Sequence, residues 1–276
     1  MANKFDFTMT SLNTKGLRAK KKRIALFRWL KKLNHSIVFL QETHSTLLDE
    51  NQFRNEWGIG EIYYSHGKSD SRGVAILLNK KCDIEVLDVT HVSPDGRILI
   101  LEVNVQDTIF KLINIYAPNT EGEQKAFYKG LHALINKYKI VQTDNIIIGG
   151  DYNVTFKADL DKKGGVMKTK DNVLNIIDDI NSKIELHDIW RCKNPNKKAY
   201  TWKQKNPEIH CRLDYWFISE ALHDYASLVD ILPCIRSDHD AIVLQLKSVD
   251  DSDRGRGYWK MNTSILDDED FIYKIN

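Results

Sequence analysis

Residues 145–153 read N-I-I-I-G-G-D-Y-N and place a carboxylate and an amide directly after a short apolar run. Three isoleucines bounded by turn residues predict a buried strand, and two glycines let the backbone turn sharply and approach a ligand. Because residues two apart in an extended segment point to the same side, Asp151 and Asn153 leave the strand together. A carboxylate there can take a proton from water or hold a metal, and an amide beside it can bind a phosphate oxygen. The alternative is a polar turn after a core strand.

Four other predicted strand ends also carry polar residues, namely Asn13, Glu42, Tyr116 and the pair Asp238 and His239. Loops on a rigid sheet scaffold are where functional sites are usually built. Each residue also has an ordinary explanation: a solvated turn for Glu42, a structural role for His239, and a core edge with a bonded hydroxyl for Tyr116. Their recurrence at the same structural position predicts that they form one site.

Three of these residues have the oxygen atoms that a hard cation prefers. Glu42, Asp238 and Asn13 suit Mg²⁺ or Mn²⁺, and they do not suit zinc. Such an ion polarises a phosphoryl oxygen and stabilises a leaving oxyanion. The pattern therefore favours phosphoryl chemistry with a divalent metal.

The other ionisable residues supply the remaining functions of such a reaction. Asp151 is free to act as the base that orients and activates water. His239 can stabilise charge on the phosphate, and Asp214 can fix the tautomer of His239, as in other carboxylate–histidine pairs. We therefore expect Asp151, Asp214 and His239 to lie together.

Strands predominate among the elements that must position these residues. Predicted strands occupy residues 5–12, 37–40, 63–64, 74–78, 84–89, 98–105, 109–116, 145–153, 200–202, 213–218 and 241–246, and predicted helices occupy 18–33, 123–138 and 171–186. A three-residue loop at 106–108 is predicted to join two strands as a hairpin. Many strands with helices between them favour an α/β or α+β sandwich with two sheets inside and helices outside.

A run of positive charge opens the first predicted helix, with five basic residues among residues 18–23. Such a run most often forms a solvated helix face, and the alternative is a patch that contacts phosphates. The net charge of the whole chain is only +2. Composition alone therefore does not indicate a nucleic-acid binder, and any basic surface must be local.

The composition is that of a globular protein that remains inside the cell. A length of 276 residues allows one large domain or two small ones. The four cysteines show no C-x-x-C spacing and indicate neither a zinc site nor a disulfide framework. Because no signal-peptide core and no membrane-length apolar run occur, we expect an intracellular protein without a membrane partner. Periodicity ends at residue 248, which predicts a domain over 1–247 and a linker or tail over 248–276.

Six short motifs occur in the order in which one superfamily carries them. They are S-L-N at 11–13, L-Q-E-T at 40–43, I-Y-A-P-N at 115–119, G-D-Y-N at 150–153, R-L-D-Y at 212–215 and S-D-H at 237–239. From about residue 5 to 247 the chain resembles the endonuclease/exonuclease/phosphatase superfamily. The resemblance implies a four-layer α/β sandwich of the deoxyribonuclease I type, with two mixed β-sheets face to face and helices outside. It also implies Mg²⁺-dependent phosphodiester chemistry.

The resemblance also implies a metal position. By resemblance Glu42 takes the metal, with Asn13 and Asp238 close by. One departure occurs two residues after Asn13, where the family commonly has Asp or Asn and this chain has Lys15. The departure argues against a second metal at that position, and Lys15 is expected to contact a phosphate instead.

The same resemblance implies how the phosphate is held and attacked. Tyr116, Asn153 and His239 would contact the phosphate. Asp151 would activate the water, and Asp214 would orient His239.

A finer resemblance points to one branch of this superfamily. The stretches D-I-W-R at 188–191, N-P at 194–195 and Y-T-W at 200–202 are similar to the endonuclease domain of LINE-type non-LTR retrotransposon polyproteins. The tail R-G-Y-W-K-M-N at 256–262 resembles the segment that leads such a domain toward a reverse transcriptase. The resemblance implies an N-terminal fragment whose partners are double-stranded DNA and a downstream reverse transcriptase domain. We would then expect the protein to be made in the cytoplasm, to act in the nucleus and not to be secreted.

A polar loop is predicted directly before Asp214. Residues 203–210 read K-Q-K-N-P-E-I-H and are predicted to join strands at 201–202 and 213–214 as a hairpin. The loop is either a solvated tip or a segment that enters a DNA groove, and in the family it resembles it lies against DNA. The side chains expected to contact phosphate or DNA are Lys15, Arg72, Asn119, Thr201, Trp202, Lys203, Lys205 and Ser237.

Three functions remain open at this point. The first is a metal-dependent endonuclease that nicks one strand of target DNA and leaves a 3′-hydroxyl, which primes reverse transcription, and a 5′-phosphate. The second is an abasic-site repair endonuclease of the same fold, and the third is an inactive nucleic-acid-binding module. The stretches D-I-W-R and Y-T-W favour the first, and the presence of Glu42, Asp151 and His239 argues against the third.

Overall fold

The computed structural model describes residues 5–165 and 171–248, so the predicted tail lies outside the described residues from position 249 onward. The described strands are β1 (Asp6–Asn13), β2 (Ile37–Gln41), β3 (Ile62–Ser65), β4 (Val74–Leu78), β5 (Ile84–Val92), β6 (Ile98–Val105), β7 (Thr108–Tyr116), β8 (Ile146–Asp151), β9 (Lys162–Lys163), β10 (Leu186–Asp188), β11 (Trp202–Gln204), β12 (Ile209–Cys211), β13 (Asp214–Ser219), β14 (Ala226–Leu232) and β15 (Ala241–Lys247). The described helices are α1 (Lys20–Leu33), α2 (Glu50–Trp57), α3 (Glu121–Lys137), α4 (Ala158–Asp161), α5 (Asp171–Lys183) and α6 (Ile189–Lys193). Two 3₁₀ helices cover Leu47–Asp49 and Glu220–Tyr225.

Two mixed sheets of six strands form the centre of the described part of the chain. The first has the order β14-β15-β1-β2-β4-β3, and the second has the order β10-β13-β8-β7-β6-β5. β1 and β2 are parallel, as are β7 and β8, and in both cases a helix connects the two strands. A small third sheet has the order β11-β12-β9.

The central strands of the two large sheets are buried on both faces. In β2, Ile37 and Phe39 pack into the cluster between the sheets, whereas Val38 and Leu40 pack against the outer helices. A strand with two buried faces needs a continuous apolar run, and this is why such runs predicted the central strands. α1 and α2 cover the first sheet, and α3 and α5 cover the second. The predicted four-layer α/β sandwich is therefore confirmed.

The basic run before and within α1 is not a uniform solvated face. Arg23 is buried, and its guanidinium forms an ion pair with Glu56 of α2, with Nε 2.5 Å from Oε2 and Nη2 2.9 Å from Oε1. Lys20 and Lys21 are exposed, and Lys22 is half-buried. One of the five charges therefore holds two helices together.

The two glycines of β8 are required by close packing. A Cβ at Gly149 would lie 2.1 Å from the ring of Trp216, which stands on the neighbouring strand β13. Gly150 has a φ of +137°, and a Cβ there would lie 2.0 Å from the carbonyl oxygen of Ile115 in β7. Close contact on both sides fixes the strand end that carries Asp151.

The structure corrects two predicted loops. The hairpin before Asp214 is formed by β11 and β12, with Trp202 paired to Cys211, whereas Asp214 opens β13 of the second large sheet. The predicted eight-residue loop therefore contains parts of two strands, and its tip is the segment 205–208. The turn between β6 and β7 has two residues and not three, since Gln106 and Asp107 both have left-handed φ values and Thr108 already pairs with Val105.

Among the elements that the sequence did not predict, α2 and β14 have sparse apolar patterns. α2 buries only Phe53 and Trp57, and its other residues are exposed or half-exposed. β14 is an edge strand with an irregular register between Ala226 and Leu228, which breaks the alternation that identifies a strand. Of the helices in the described part of the chain, none has the length and apolar character needed to cross a membrane.

Candidate active site

Two buried carboxylates and a histidine form the floor of the site. Asp151 ends β8 and Asp214 opens β13, and the two residues pair directly across these antiparallel strands. His239 lies in the segment before β15, with Nδ1 2.8 Å from Asp214 Oδ2 and Nε2 4.0 Å from Asp151 Oδ2. The predicted grouping of Asp151, Asp214 and His239 is therefore present, although their roles stay predictions.

The ionisable groups of this floor shift one another's pKa values. Burial alone would lower the pKa of His239, but the ion pair and hydrogen bond with Asp214, with Asp151 adding to them, raise this pKa to about 9. Burial raises the pKa of Asp151 above its ordinary value, and the nearby charge of Asp214 raises it further. At neutral pH the imidazole is therefore protonated, and Asp151 is a better proton acceptor than an exposed aspartate.

Glu42 stands beside Asp151 and is held by two donors. Tyr116 donates its hydroxyl to Glu42 Oε1 over 2.6 Å, and Asn13 Nδ2 donates to the same oxygen over 3.1 Å. Asn13 Nδ2 also donates to Asp151 Oδ2 over 2.9 Å, which ties the two carboxylates together. Burial and the charge of Glu42 raise the pKa of Tyr116, so its hydroxyl remains a donor. The second oxygen of Glu42 lies 3.8 Å from His44 Nε2.

Several loop residues at this edge have left-handed backbones, among them Lys15, Glu42, His44 and Asn153, with φ between 47° and 53°. Such conformations cost energy for residues other than glycine, and they persist where the surroundings determine them. The surroundings here are backbone hydrogen bonds, including Gly16 N–H to the carbonyl of Glu42 over 2.7 Å. These bonds orient the side chains of the loops toward one shared space beside the floor.

Asp238 faces the same space and forms an ion pair with Lys15. Lys15 Nζ lies 2.7 Å from Asp238 Oδ2, and Trp202 Nε1 lies 3.4 Å from the same oxygen. The other oxygen, Oδ1, is buried and has no hydrogen-bond partner among the described residues. Burial would raise the pKa of Asp238, but the bond with Lys15 and the charge of His239 lower it, so the carboxylate is ionised at neutral pH.

These residues meet in one cavity of about 320 Å³. Its lining consists of Lys15, Glu42, Asn119, Asp151, Asn153, Trp202, Leu213, Asp238 and His239. Eight of these nine were predicted as site residues, and Leu213 was not. Asn153 donates from its backbone N–H to Asp151 Oδ1 over 2.9 Å, and its amide Nδ2 donates to the carbonyl of Ala117 over 2.7 Å.

The donor set of the cavity fits a hard divalent cation. Glu42 Oε2 and the buried Asp238 Oδ1 are carboxylate oxygens with few protein contacts, as a Mg²⁺ or Mn²⁺ site requires. Asp151, Asp214 and His239 also have ligand atoms within 4.8 Å of one another. A cation there would have to displace the His239–Asp214 hydrogen bond, and Glu42 is therefore the better position. The amide oxygen of Asn13 already accepts the backbone N–H of Lys15, so metal ligation by Asn13 stays a prediction.

Two predicted DNA contacts, Thr201 and Ser237, make hydrogen bonds that support the site, and their contact with DNA stays a prediction. Thr201 is fully buried, and its hydroxyl accepts the backbone N–H groups of Leu213 and Asp214 over 3.0 and 3.1 Å. Ser237 is half-buried, and its hydroxyl donates to the carbonyl of Asn13 over 2.7 Å and accepts the backbone N–H of His239 over 3.2 Å. Both side chains fix the positions of strand ends.

Three predicted DNA contacts lie outside the cavity lining. Arg72 has Nη1 3.9 Å from Asp95 Oδ2, and Lys203 Nζ lies 2.6 Å from Asp240 Oδ2. Lys205 is exposed at the tip of the β11–β12 hairpin. Any contact that these three side chains make with DNA would occur away from the reacting phosphate.

Sequence reasoning missed a buried ion network behind the site. Arg212 is 1% exposed, with Nε 2.8 Å from Asp161 Oδ1 and Nη2 2.6 Å from Asp188 Oδ2. Arg191 Nη2 lies 2.5 Å from Asp161 Oδ1. Arg212 is two residues before Asp214, so the network anchors the start of β13. The two arginines within the R-L-D-Y and D-I-W-R motifs could have indicated this network, but these motifs contributed only to the family resemblance.

Solved structures of nucleases share the fold. An AP endonuclease from Leishmania major superposes with a TM-score of 0.74 at 15% identity, covering 88% of each chain. The catalytic domain of Xenopus laevis APE2 superposes with a TM-score of 0.68 at 20% identity, covering 88% of this chain and 94% of that domain. At these identities the likeness concerns the fold alone.

Sequence comparison adds a relative and a family. The chain is 32% identical over 270 residues to the transposon TX1 uncharacterized 149 kDa protein of Xenopus laevis. That match covers 97% of this chain, which spans about a fifth of the length of that relative. The sequence profile of the endonuclease/exonuclease/phosphatase family matches residues 10–239, which contain every motif of the cavity. The chain therefore belongs to the endonuclease/exonuclease/phosphatase family.

Proposed function

We propose that the chain is a Mg²⁺-dependent DNA endonuclease that nicks one strand of a duplex and leaves a 3′-hydroxyl and a 5′-phosphate. The observation that carries the proposal is the position of His239 between Asp214 and Asp151, with Glu42 joined to Asp151 through Asn13 and lining the same cavity as Asp151 and His239. A proton acceptor, a buried cation and an oxygen-rich metal position thus surround one space. Hydrolysis of a phosphodiester needs these three functions together.

In the proposed mechanism the chain's own groups act on water and phosphate. Asp151 takes the proton of the attacking water, a role that its raised pKa supports. His239 presents a protonated imidazole toward the phosphate, since Asp214 holds Nδ1 and leaves Nε2 facing Asp151. Lys15 also lies at the cavity and adds positive charge. A Mg²⁺ ion held by Glu42 and Asp238 would polarise the phosphoryl group.

The larger role that we propose is target-primed reverse transcription by a LINE-type retrotransposon. The 3′-hydroxyl left by the nick would be the primer for an RNA-directed DNA polymerase. The match to a transposon protein, of which this chain spans about a fifth, supports a reverse transcriptase domain as partner. Residues 248–276 would link the two domains, and the protein would act in the nucleus after synthesis in the cytoplasm.

Supercoiled plasmid tests the endonuclease directly. Protein with Mg²⁺ should convert the supercoiled form to the open circle, and a chelator should stop the conversion. The nick should be extended by a DNA polymerase and resealed by a DNA ligase, because both reactions need a 3′-hydroxyl, and the ligase also needs a 5′-phosphate. Failure to nick, or nicks that ligase cannot seal, would contradict the proposal.

Abasic-site repair is the second candidate, and the fold shared with two AP endonuclease structures favours it. A duplex with one abasic analogue and a matched intact duplex separate the two functions. The retrotransposon role predicts comparable cutting of intact DNA, whereas repair predicts cutting at the abasic position only. An inactive binding module would cut neither.

A further inference from the structure

A second concave surface lies next to the active site, between α1 and the segment that follows β14. It encloses a cavity of about 380 Å³, and its lining includes Arg28, Trp29 and Lys32 of α1 together with Ile235 and Arg236. We call this surface the α1 groove. The reaction described above uses none of these five residues.

The α1 groove is positively charged and contains no acidic group. Arg28, Lys32 and Arg236 are exposed, and no Asp or Glu of the described residues is part of the lining. By contrast, Lys111 lies 2.7 Å from a carboxylate oxygen of Glu102. Three cations without a carboxylate in one groove are complementary to a polyanion.

The groove also presents apolar surface that duplex DNA cannot use. Trp29 is half-buried and packs against the cluster beneath α1, so its ring is held in place. Ile235 is 91% exposed, which is unusual for an isoleucine beside a groove. Bases offer their faces to an aromatic ring only when they are unpaired. Cations together with a fixed aromatic side chain therefore suit a single strand.

The groove is within reach of the reacting phosphate. Arg236 is two residues before Asp238, so their Cα atoms are separated by at most about 7 Å. α1 reaches the same place, since Lys22 Nζ donates to the carbonyl of Lys15 over 2.8 Å. A strand that leaves the active-site cavity can therefore enter the α1 groove within one or two nucleotides.

We infer that the α1 groove binds an unpaired DNA strand adjacent to the cleavage site. This inference rests on the proposed DNA endonuclease function. A site with an unpaired flank would then be bound more tightly than a fully paired site.

Equilibrium binding in the presence of a chelator tests the inference without cleavage. Fluorescence anisotropy would compare a blunt duplex with the same duplex carrying a single-stranded DNA extension of about ten nucleotides, a length typical of single-strand sites. The wild-type protein should bind the extended duplex more tightly. Trp29→Leu should weaken binding of the extended duplex by about 5- to 150-fold, the range expected for losing one base–aromatic stack.

Salt dependence tests the cations separately. Arg28→Ser combined with Arg236→Ser should lower the slope of log affinity against log salt by about 1.4 on the extended duplex, since each single-strand phosphate contact contributes about 0.7. Lys80→Ser combined with Lys81→Ser removes the same number of positive charges far from the site. These two lysines follow Leu78, which pairs with Ile37 at the end of β2 opposite the site. That control should leave the slope unchanged.

The possible results are distinguishable. A loss confined to the extended duplex supports the inference. Either of two results with the wild type overturns the inference: equal binding of both duplexes, or tighter binding of an RNA extension than of a DNA extension. Two results with the variants also overturn it: equal loss of affinity on both duplexes, or the same loss in the control variant. Arg28 and Arg236 are exposed, so the double variant should keep the wild-type thermal midpoint. Because binding is measured without cleavage, a protein that fails to nick plasmid but prefers the extended duplex would contradict the endonuclease proposal alone.

Discussion

His239 lies between two carboxylates, and only 8% of its side chain is exposed. Removing the imidazole therefore affects both the reaction and the fold. Alanine at this position would leave the charge of Asp214 buried without its partner, which typically costs about 3–5 kcal/mol. The buried ion pair therefore argues against an unchanged stability of the fold in this variant.

Asp151→Ala and His239→Ala are each expected to lower the nicking rate by about 10²–10⁴-fold, because one removes the base and the other the buried cation. Nick formation on plasmid, with circular dichroism as a check of the fold, measures both. His239→Asn is the matched control, since its amide can still donate to Asp214. Relative to alanine it should recover part of the stability without recovering the rate. Near-native nicking by any of the three variants would contradict the proposed roles.

Glu42→Gln is expected to weaken the response to metal specifically. The glutamine keeps an oxygen for the hydroxyl of Tyr116 and loses the negative charge that a hard cation requires. The Mg²⁺ concentration that gives half-maximal nicking should rise, and calorimetry with Mn²⁺ should show weaker binding. Glu85 on the outer strand β5 is exposed and far along the sheet order from the site, so Glu85→Gln is a suitable control. An unchanged Mg²⁺ curve would mean that Glu42 is not a ligand.

At the scale of elements, β8 has no room for a side chain at either of its two glycines. Gly149→Ala is expected to destabilise the protein by about 1–3 kcal/mol, because the added methyl group overlaps the ring of Trp216. Gly130→Ala is its control in the interior of α3, where nothing lies within 4 Å of the new Cβ. That substitution should stabilise by up to about 1 kcal/mol, since alanine favours a helix over glycine. Urea denaturation of the two variants should give shifts of opposite sign.

The tip of the β11–β12 hairpin carries the prediction about target choice. Replacing residues 205–208 by a Gly-Ser turn is expected to change the pattern of nick positions more than the rate per nick. The strands on either side remain, because Lys203 pairs with His210 and His210 pairs with Lys163 of β9. Primer extension on one long duplex maps the nicks. An identical ladder from the wild type and the variant would rule out a role of the tip in choosing sites.

How far the sequence predicted the elements depended on the strength of local patterns. The runs at 37–40, 74–78 and 146–148 were recognised because their strands are buried on both faces, and the site residues at the ends of such strands were recognised with them. The direction of a side chain in a turn is set by tertiary contacts that no local pattern encodes. Thr201 was therefore predicted to contact DNA, whereas its hydroxyl holds the backbone of Asp214. The partners of Arg212 come from residues 161 and 188, which no periodicity connects.

At the scale of the whole molecule, the buried histidine links stability to pH. The pKa of His239 is raised from an ordinary value near 6.5 to about 9 in the fold, so the folded state binds the proton more tightly. This contribution is fully present below about pH 6.5 and is lost as the pH rises through about 9. The difference in unfolding free energy between wild type and His239→Asn, measured with a chelator, should therefore shrink across that window. Each unit of pKa shift corresponds to about 1.4 kcal/mol, and a constant difference would contradict the assignment.

The first strand of the domain lies in the middle of its sheet, between β2 and β15, and Asp6 pairs with Lys247. During synthesis β1 leaves the ribosome long before its neighbour β15 exists. At about 5–20 residues per second the delay is roughly 10–50 s, and one edge of β1 stays unpaired throughout. The cavity shares this order, because Asn13 and Glu42 are made early whereas Asp214 and His239 are made late. A nascent chain that stalls before Asp214 therefore lacks both Asp214 and His239, and under the proposed function it would not cut DNA.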